Sequence, residues 1–386
     1  MKPHQLAAAF MLLALSACSN SSDQSNTYFV TRLGNDTLAI ESLQKQADRV
    51  MAQVVLRSPS TRLMSYEMTL NEAGGMESLV RYDMADGSFQ TEGATIAQKV
   101  IVDGDSLIHE VRTRNGEMRR YSMAHEKGAL PFIDMVHWPF EMAFNQAAKE
   151  ANDSISQKLL TGRRLSNFII HKRTSDSLTL RHPSRGVMGV SVNAKGELLK
   201  LDAALTTRKL VVTRVDQLDF EEIAQSFMAR DKNGSPFGSL SGAVNESFEV
   251  NGTEFKVSYG SPKKRGREIF GGIVNWGQRW RTGANRATHF STSRDLKMGD
   301  LDVPAGEYTL FTIPQPDGGI LIINKQTGQN GRSYNHDRDL GRVPMNIGSQ
   351  AEVTEAFTIT VEGNGNNGVL KLIWDQTIFS VDFSWK

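Results

Sequence analysis

The C-terminus of this chain alternates strictly: Phe379, Val381, Phe383 and Trp385 are apolar, while Ser380, Asp382 and Ser384 between them are polar. A period of two places the first set on one face of a strand and the second set on the other. A chain that ends on such a strand has to build a sheet to cover its apolar face. The same signature recurs along the sequence. Residues 28–33 break at Gly34-Asn35-Asp36, a turn composition, and are followed by short alternating segments at 37–43, 49–56, 63–70 and 76–84. Residues 99–102 face 106–111 across Asp103-Gly104-Asp105. Further on come 168–171, 178–181, 188–192 and 198–203, the last two joined across Ala194-Lys195-Gly196. The spacing predicts a mainly β protein built from antiparallel meanders.

At 386 residues the chain is long enough for two cores. Residues 27–230 read as an antiparallel β domain, a meander or half-barrel with one or two helices. Phe132, Met135, Val136, Phe140, Ala143 and Phe144 recur at helical spacing within 131–149, with Pro139 expected to divide that helix in two. Residues 217–229, with Leu218, Ile223 and Phe227 apolar and acids near the start, read as a second helix. A helix packed inside a curved antiparallel sheet resembles the half-barrel of lipoprotein carriers, and that resemblance implies a concave face able to hold a lipid chain. Residues 231–245 are rich in Gly, Ser and Pro and are expected to be the linker. Residues 246–386 follow as a β-sandwich, with strands at 248–250, 254–259, 321–324, 357–361, 370–374 and 379–385.

The N-terminus reads as an address. Lys2 and His4 precede the apolar run 6–15, which is too short to span a bilayer and fits a secretory signal. The run ends Leu15-Ser16-Ala17-Cys18, which resembles the lipobox of bacterial lipoproteins. The resemblance implies that residues 1–17 are a signal peptide and that Cys18 is lipidated. Cys18 is the single cysteine, so no intramolecular disulfide or thiolate metal cluster is available. Residues 18–26 form a polar tether. Ser19 after the cysteine fits delivery to the outer membrane facing the periplasm. The expected partner is therefore the membrane, through a lipid. A net charge of +1 gives no general drive toward nucleic acid.

The densest stretch in glycine, arginine and tryptophan is 258–314. Its runs SPKKRGR (261–267), WRTGAN (280–285) and PAGEYTLFTIP (304–314), together with NKQTGQ (324–329), resemble a bacterial domain family of unknown function, number 2911, over about 246–386. The resemblance implies a β-rich fold and an envelope location, and carries no reaction. Where related sequences usually have an acid after the Gly-Ala-Asn triplet, this chain has Arg286.

From Lys256 to Arg294 there are nine Lys/Arg and one acid, Glu268; from Asp295 to Lys386 there are seven Lys/Arg and twelve acids. Two readings follow. The first half folds against the second and pairs its charges, or it forms a site for an anionic or glycan ligand. The candidate ligand-binding residues are Lys264, Arg265, Arg267, Trp280, Arg281, Asn285 and His289. Arginines grip oxyanions at two points, Asn285 both donates and accepts, and Trp280 offers a ring to a sugar or a cation. Trp280 and Arg281 are expected to point to opposite faces of a strand. His289 and His336, the latter beside Asp337 and Asp339, are the nearest approach to a metal set. No nucleophile elbow, P-loop, zincin helix or dinucleotide fingerprint occurs, so no cofactor is expected and a ligand-binding module is favoured over an enzyme. The alternatives are a periplasmic hydrolase of unknown class and a lipid-handling lipoprotein using the first domain.

Overall fold

A computed structural model describes residues 26–84 and 87–386. Cys18, the apolar run before it and most of the expected tether lie outside the described residues. The first domain is one sheet of fifteen strands. The first eight are β1 (Thr27–Leu33), β2 (Asp36–Lys45), β3 (Arg49–Leu56), β4 (Arg62–Leu70), β5 (Met76–Met84), β6 (Thr95–Asp103), β7 (Ser106–Arg112) and β8 (Met118–Ala124). After β9 (Leu130–Pro131) and helix α1 (Trp138–Lys149) come β10 (Ser154–Thr161), β11 (Arg164–Lys172), β12 (Ser177–His182), β13 (Gly186–Val192), β14 (Leu198–Asp202) and β15 (Val211–Val215). Each half is an antiparallel meander apart from short β9, which pairs parallel with β10, and pairing of β1 with both β2 and β15 joins them into the order β8 through β1, then β15 back to β9.

Helix α1 lies in the main core of this domain with Trp138, Phe140, Ala143, Phe144 and Ala147 buried among residues of both meanders. Truncating a buried phenylalanine such as Phe144 costs ~3–5 kcal/mol. The helix does not span 131–149 and is not broken by Pro139. It begins at Trp138 and Pro139 sits in its first turn, where a missing N–H is tolerated and the fixed φ suits the helix. The buried carboxylate of Glu41 accepts the backbone N–H groups of His137 (2.9 Å) and Trp138 (2.8 Å), and Nδ1 of His137 lies 3.2 Å from it. It satisfies the orphan donors of the helix N-terminus. A second buried acid, Glu141, receives Lys45 Nζ (2.8 Å), Leu198 N (2.6 Å) and Arg214 Nη1 (3.4 Å), so α1 is tied to β2, β14 and β15. Helix α2 (Phe220–Lys232) lies about three residues later than 217–229. Its Phe220, Ala224 and Phe227 cover Ile40, Val55 and Leu63 in a separate cluster.

Between α2 and the next strand, Phe237 is buried in the first-domain core, Gly238 N donates to Pro59 O (2.8 Å), and Ser58 Oγ donates to Gly238 O (3.1 Å). The second domain then runs β16 (Ser241–Val250), β17 (Thr253–Pro262), β18 (Thr288–Thr292), β19 (Leu296–Met298), β20 (Leu301–Val303), β21 (Gly306–Gln315), β22 (Gly318–Asn324), β23 (Asp339–Asn364) and β24 (Asn367–Trp385). They form one hydrogen-bonded order, β16-β17-β18-β21-β22-β23-β24-β19-β20. The long β23–β24 ribbon changes register around Thr354 and carries left-handed Asp375 (φ 59°), so it bends over β17. Two facing layers result. Phe383 meets Phe255 at 5.5 Å between ring centroids, and Ile359 N donates to the Tyr259 hydroxyl (3.1 Å). The segments 370–374 and 379–385, expected as separate strands, are one strand.

The stretch from 263 to 287, in which Trp280 and Arg281 were expected on a strand, is an excursion without a strand. Only isolated bridges occur in it, such as Trp280 with Thr312. Left-handed Arg265, Thr282 and Asn285 turn the backbone repeatedly, a conformation incompatible with a continuous ladder.

Candidate functional site

The excursion divides the seven candidate residues. Its first turn sits against the other domain. Arg265 is buried; its Nη1 donates to Asp36 Oδ2 (2.6 Å), its Nη2 to Phe237 O (3.0 Å), and its guanidinium lies 3.8 Å from the Phe237 ring centre. Its backbone carbonyl accepts from Asn35 N (3.0 Å). This approach needs a glycine opposite, since a Cβ on Gly34 would stand 2.0 Å from the Arg265 carbonyl oxygen. Arg267 turns back on its own loop, donating to Lys264 O (2.9 Å) and Lys263 O (2.6 Å). Burial, then the charge of Arg265, holds the Arg267 guanidinium below its ordinary value. Lys264 pairs with Asp375 at the kink of β24.

Trp280 is part of the second-domain packing. It stacks on buried Trp374 (5.9 Å, 16° between planes) and meets Phe357 edge-on at 5.0 Å. The Arg281–Asn285 turn is set by Ala284 N donating to Gly260 O (2.9 Å) and by Thr288 Oγ1 donating to Thr282 O (2.6 Å). Half-buried Arg281 donates to Asn285 O (3.4 Å), and Asn285 is exposed. His289 lies on β18, its Nδ1 3.2 Å from Thr309 Oγ1, along an open groove with Lys256, Ser258 and Glu307. Burial lowers its pKa, opposed by Glu307. Arg286 reaches Ser258 Oγ (3.1 Å) in the same region. His336 is exposed in a short helical turn, and no group of three or more His, Cys, Asp or Glu among the described residues is arranged to hold a metal.

A basic seam starts where the Arg281 turn ends. Arg286 bridges Asn330, and Gly331 packs so close that a Cβ there would be 2.5 Å from the Arg286 carbonyl. The next residue, Arg332, crosses to the first domain and donates through Nη1 to Ser184 O (3.0 Å). Ser184 lies in the turn between β12 and β13, beside Arg185. Arg185 and Arg208 both pair with Asp134, in the segment leading into α1. Burial acts to raise the Asp134 pKa, but the two arginines outweigh it and the net shift is downward. Burial and then Arg332 hold the Arg281 guanidinium below its ordinary value. Lys209 is lowered likewise by burial and Arg267. Lys209, Arg281 and Arg332 have no carboxylate within 4.0 Å among the described residues. Arg185 and Arg208 thus share one carboxylate, and Arg332 of the second domain is bonded beside Arg185.

Behind Asp134 lies a cavity of about 30 Å³, lined by Phe132, Met135, Val136, Phe140, Met188 and Leu210 and bordered by His182, Arg185 and Arg208. Asp134, His182, Arg185, Arg208 and Arg332 were not among the candidates read from the sequence. They stand in four separate stretches, and only pairing of the two meanders and docking of the second domain bring them together.

Comparison with known proteins adds a family to this geometry. Residues 241–383 match the model of a protein family of unknown function, DUF2911. The match covers nearly all of the C-terminal domain, and Arg281, Arg332 and the Arg265 turn all lie within it. No curated protein matches the chain. A crystal structure of a DUF1089 family protein from Pseudomonas aeruginosa is similar at 9% identity, over 50% of this chain and 95% of that one, with a TM-score of 0.31. A crystal structure described as a receptor binding domain is similar at 8% identity, over 94% of each chain, with a TM-score of 0.14.

Proposed function

We propose that this protein is a ligand-binding envelope lipoprotein whose two domains together take an anionic group, free or carried on a glycan, in the seam around Arg185, Arg208, Arg281 and Arg332. The observation that carries the reading is Arg332. It is exposed, spans the domains by one neutral hydrogen bond to Ser184 O, and so adds a cation of the second domain beside Arg185. Gathering like charges raises the local positive potential and favours an anion there. Guanidinium groups suit phosphate, sulfate or carboxylate, to which they donate in pairs.

Titration calorimetry of the described two-domain protein with inorganic phosphate and sulfate tests this. Arg332→Ala is expected to weaken binding at least tenfold with little change in melting temperature. Absence of heat with the parent protein for both anions rejects the reading. The anchor is tested separately: Cys18→Ser should move the protein from the membrane to the soluble fraction, and equal membrane partition of variant and parent rejects lipidation at Cys18.

A further inference from the structure

The seam and the cavity behind it share one residue that has no use in either alone. His182 is more than nine-tenths buried, and its Nε2 has no hydrogen-bond partner among the described residues. The backbone N–H of Ser184 donates to its Nδ1 (3.1 Å), so the ring proton is on Nε2. Burial, with Arg185, pushes the His182 pKa down to about 4, so the ring is neutral at neutral pH. The Phe132 and Phe168 rings stand at 75° and 68° to it and provide no acceptor oxygen. The cavity wall therefore holds one buried donor with nothing to accept from it, which costs about 1–3 kcal/mol.

The roof of the cavity is the segment 132–137. It contains left-handed Met135 (φ 66°), a strained conformation for a non-glycine residue. It also contains Asp134, the latch that Arg185 and Arg208 grip. At about 30 Å³ the cavity, as it stands, has room for about one water molecule.

We propose that the cavity admits the apolar end of an amphiphilic anion: its charged group replaces Asp134 between Arg185 and Arg208, which releases the roof, and an oxygen next to the chain accepts from His182 Nε2. The proposal rests on the anion-binding reading of the seam and adds the ligand class. An anion lacking a chain occupies the seam and leaves the cavity unfilled. A chain lacking an anion does not unlatch the roof.

The test is a calorimetric series on the same protein with inorganic phosphate, butyl phosphate and octyl phosphate. Each methylene taken from water contributes roughly a fourfold factor. After the cost of opening, octyl phosphate is expected to bind at least tenfold tighter than phosphate. Met188→Phe, which fills the cavity, should abolish that gain and leave phosphate affinity unchanged. Asp134→Asn, on a partly exposed side chain, should fold as the parent does and raise octyl phosphate affinity by weakening the latch. Equal affinity for phosphate and octyl phosphate overturns the cavity proposal while the seam reading stands. A chain-length gain that survives both Met188→Phe and Arg332→Ala places the chain elsewhere and also overturns it. No binding of any of the three overturns both.

Discussion

Arg265 and Arg281 lie sixteen positions apart in one basic stretch, yet they are opposites. Arg265 is buried, bonded to Asp36 and to a main-chain carbonyl of the first domain, and laid on Phe237. Arg281 is half-exposed, makes one long bond to a neighbouring carbonyl, and feels the charge of Arg332. The first has its partners supplied by the fold, and the second has only another cation beside it. Composition does not distinguish them, because the +8 stretch contains both. What separates them is which part of the excursion docks on the first domain. The stretch therefore serves two ends: a rivet between domains at 263–267 and a rim at 281–286.

Breaking the rivet should have the largest effect. Arg265→Ala removes a charged hydrogen bond to Phe237 O and a cation–π contact, leaves a buried carbonyl unpaired, and is expected to destabilise the protein by ~3–5 kcal/mol. Arg265→Lys should recover only part, since an ammonium cannot reach Asp36 and the carbonyl as a fork does. Urea denaturation read by tryptophan fluorescence measures this. The connection at 233–240 should also become more sensitive to protease in Arg265→Ala, as Phe237 loses its cover. An unchanged unfolding midpoint breaks the contrast with Arg281.

The next effect belongs to the seam as a whole. His182 has a pKa near 4 in the folded chain and an ordinary value of 6.5 when exposed. Between those values the unfolded state binds the extra proton, so stability is fully present above about pH 6.5 and is lost as pH falls toward 4. Burial and the charges of Arg185, Arg208 and Arg332 cause the shift, with Asp134 opposing it. The loss is on the order of 2–3 kcal/mol. His182→Phe should flatten that part of the stability–pH profile, and a profile of the same slope in the variant assigns the loss to other groups.

Much of the architecture was legible in the sequence. Strands β3 and β5 coincide with the segments 49–56 and 76–84, because both are short runs rich in apolar residues bounded by turns. Strand β8 was missed: Met118–Ala124 lies at the sheet edge and is mostly exposed, so its pattern carries no buried face to read. The start of α1 was placed too early because Phe132, Met135 and Val136 have helical spacing but line a roof instead. Strand β24 was read as two, since Asp375-Gln376-Thr377 interrupts the alternation where the ribbon bends. The seam was illegible for a different reason. Asp134, Arg185, Arg208 and Arg332 carry no local pattern, and their meeting depends on contacts that span 51, 74 and 148 positions.

The smallest stability effect, and the sharpest form of the contrast, is expected at Arg281. Its guanidinium has one weak acceptor at 3.4 Å and no carboxylate within 4.0 Å among the described residues. Removing it leaves no buried acid alone, unlike the rupture of a buried pair. It also relieves repulsion with Arg332. Arg281→Ala should therefore leave stability within ~0.5 kcal/mol of the parent, or raise it slightly. The same variant should weaken phosphate binding in the seam, because the anion loses one of the cations that offset it. Arg281→Lys separates two forms of that role: a two-point grip on the anion is lost with lysine, whereas a plain field effect survives. A drop of several kcal/mol in Arg281→Ala would make this arginine a second rivet, and the division of the stretch into rivet and rim would no longer stand.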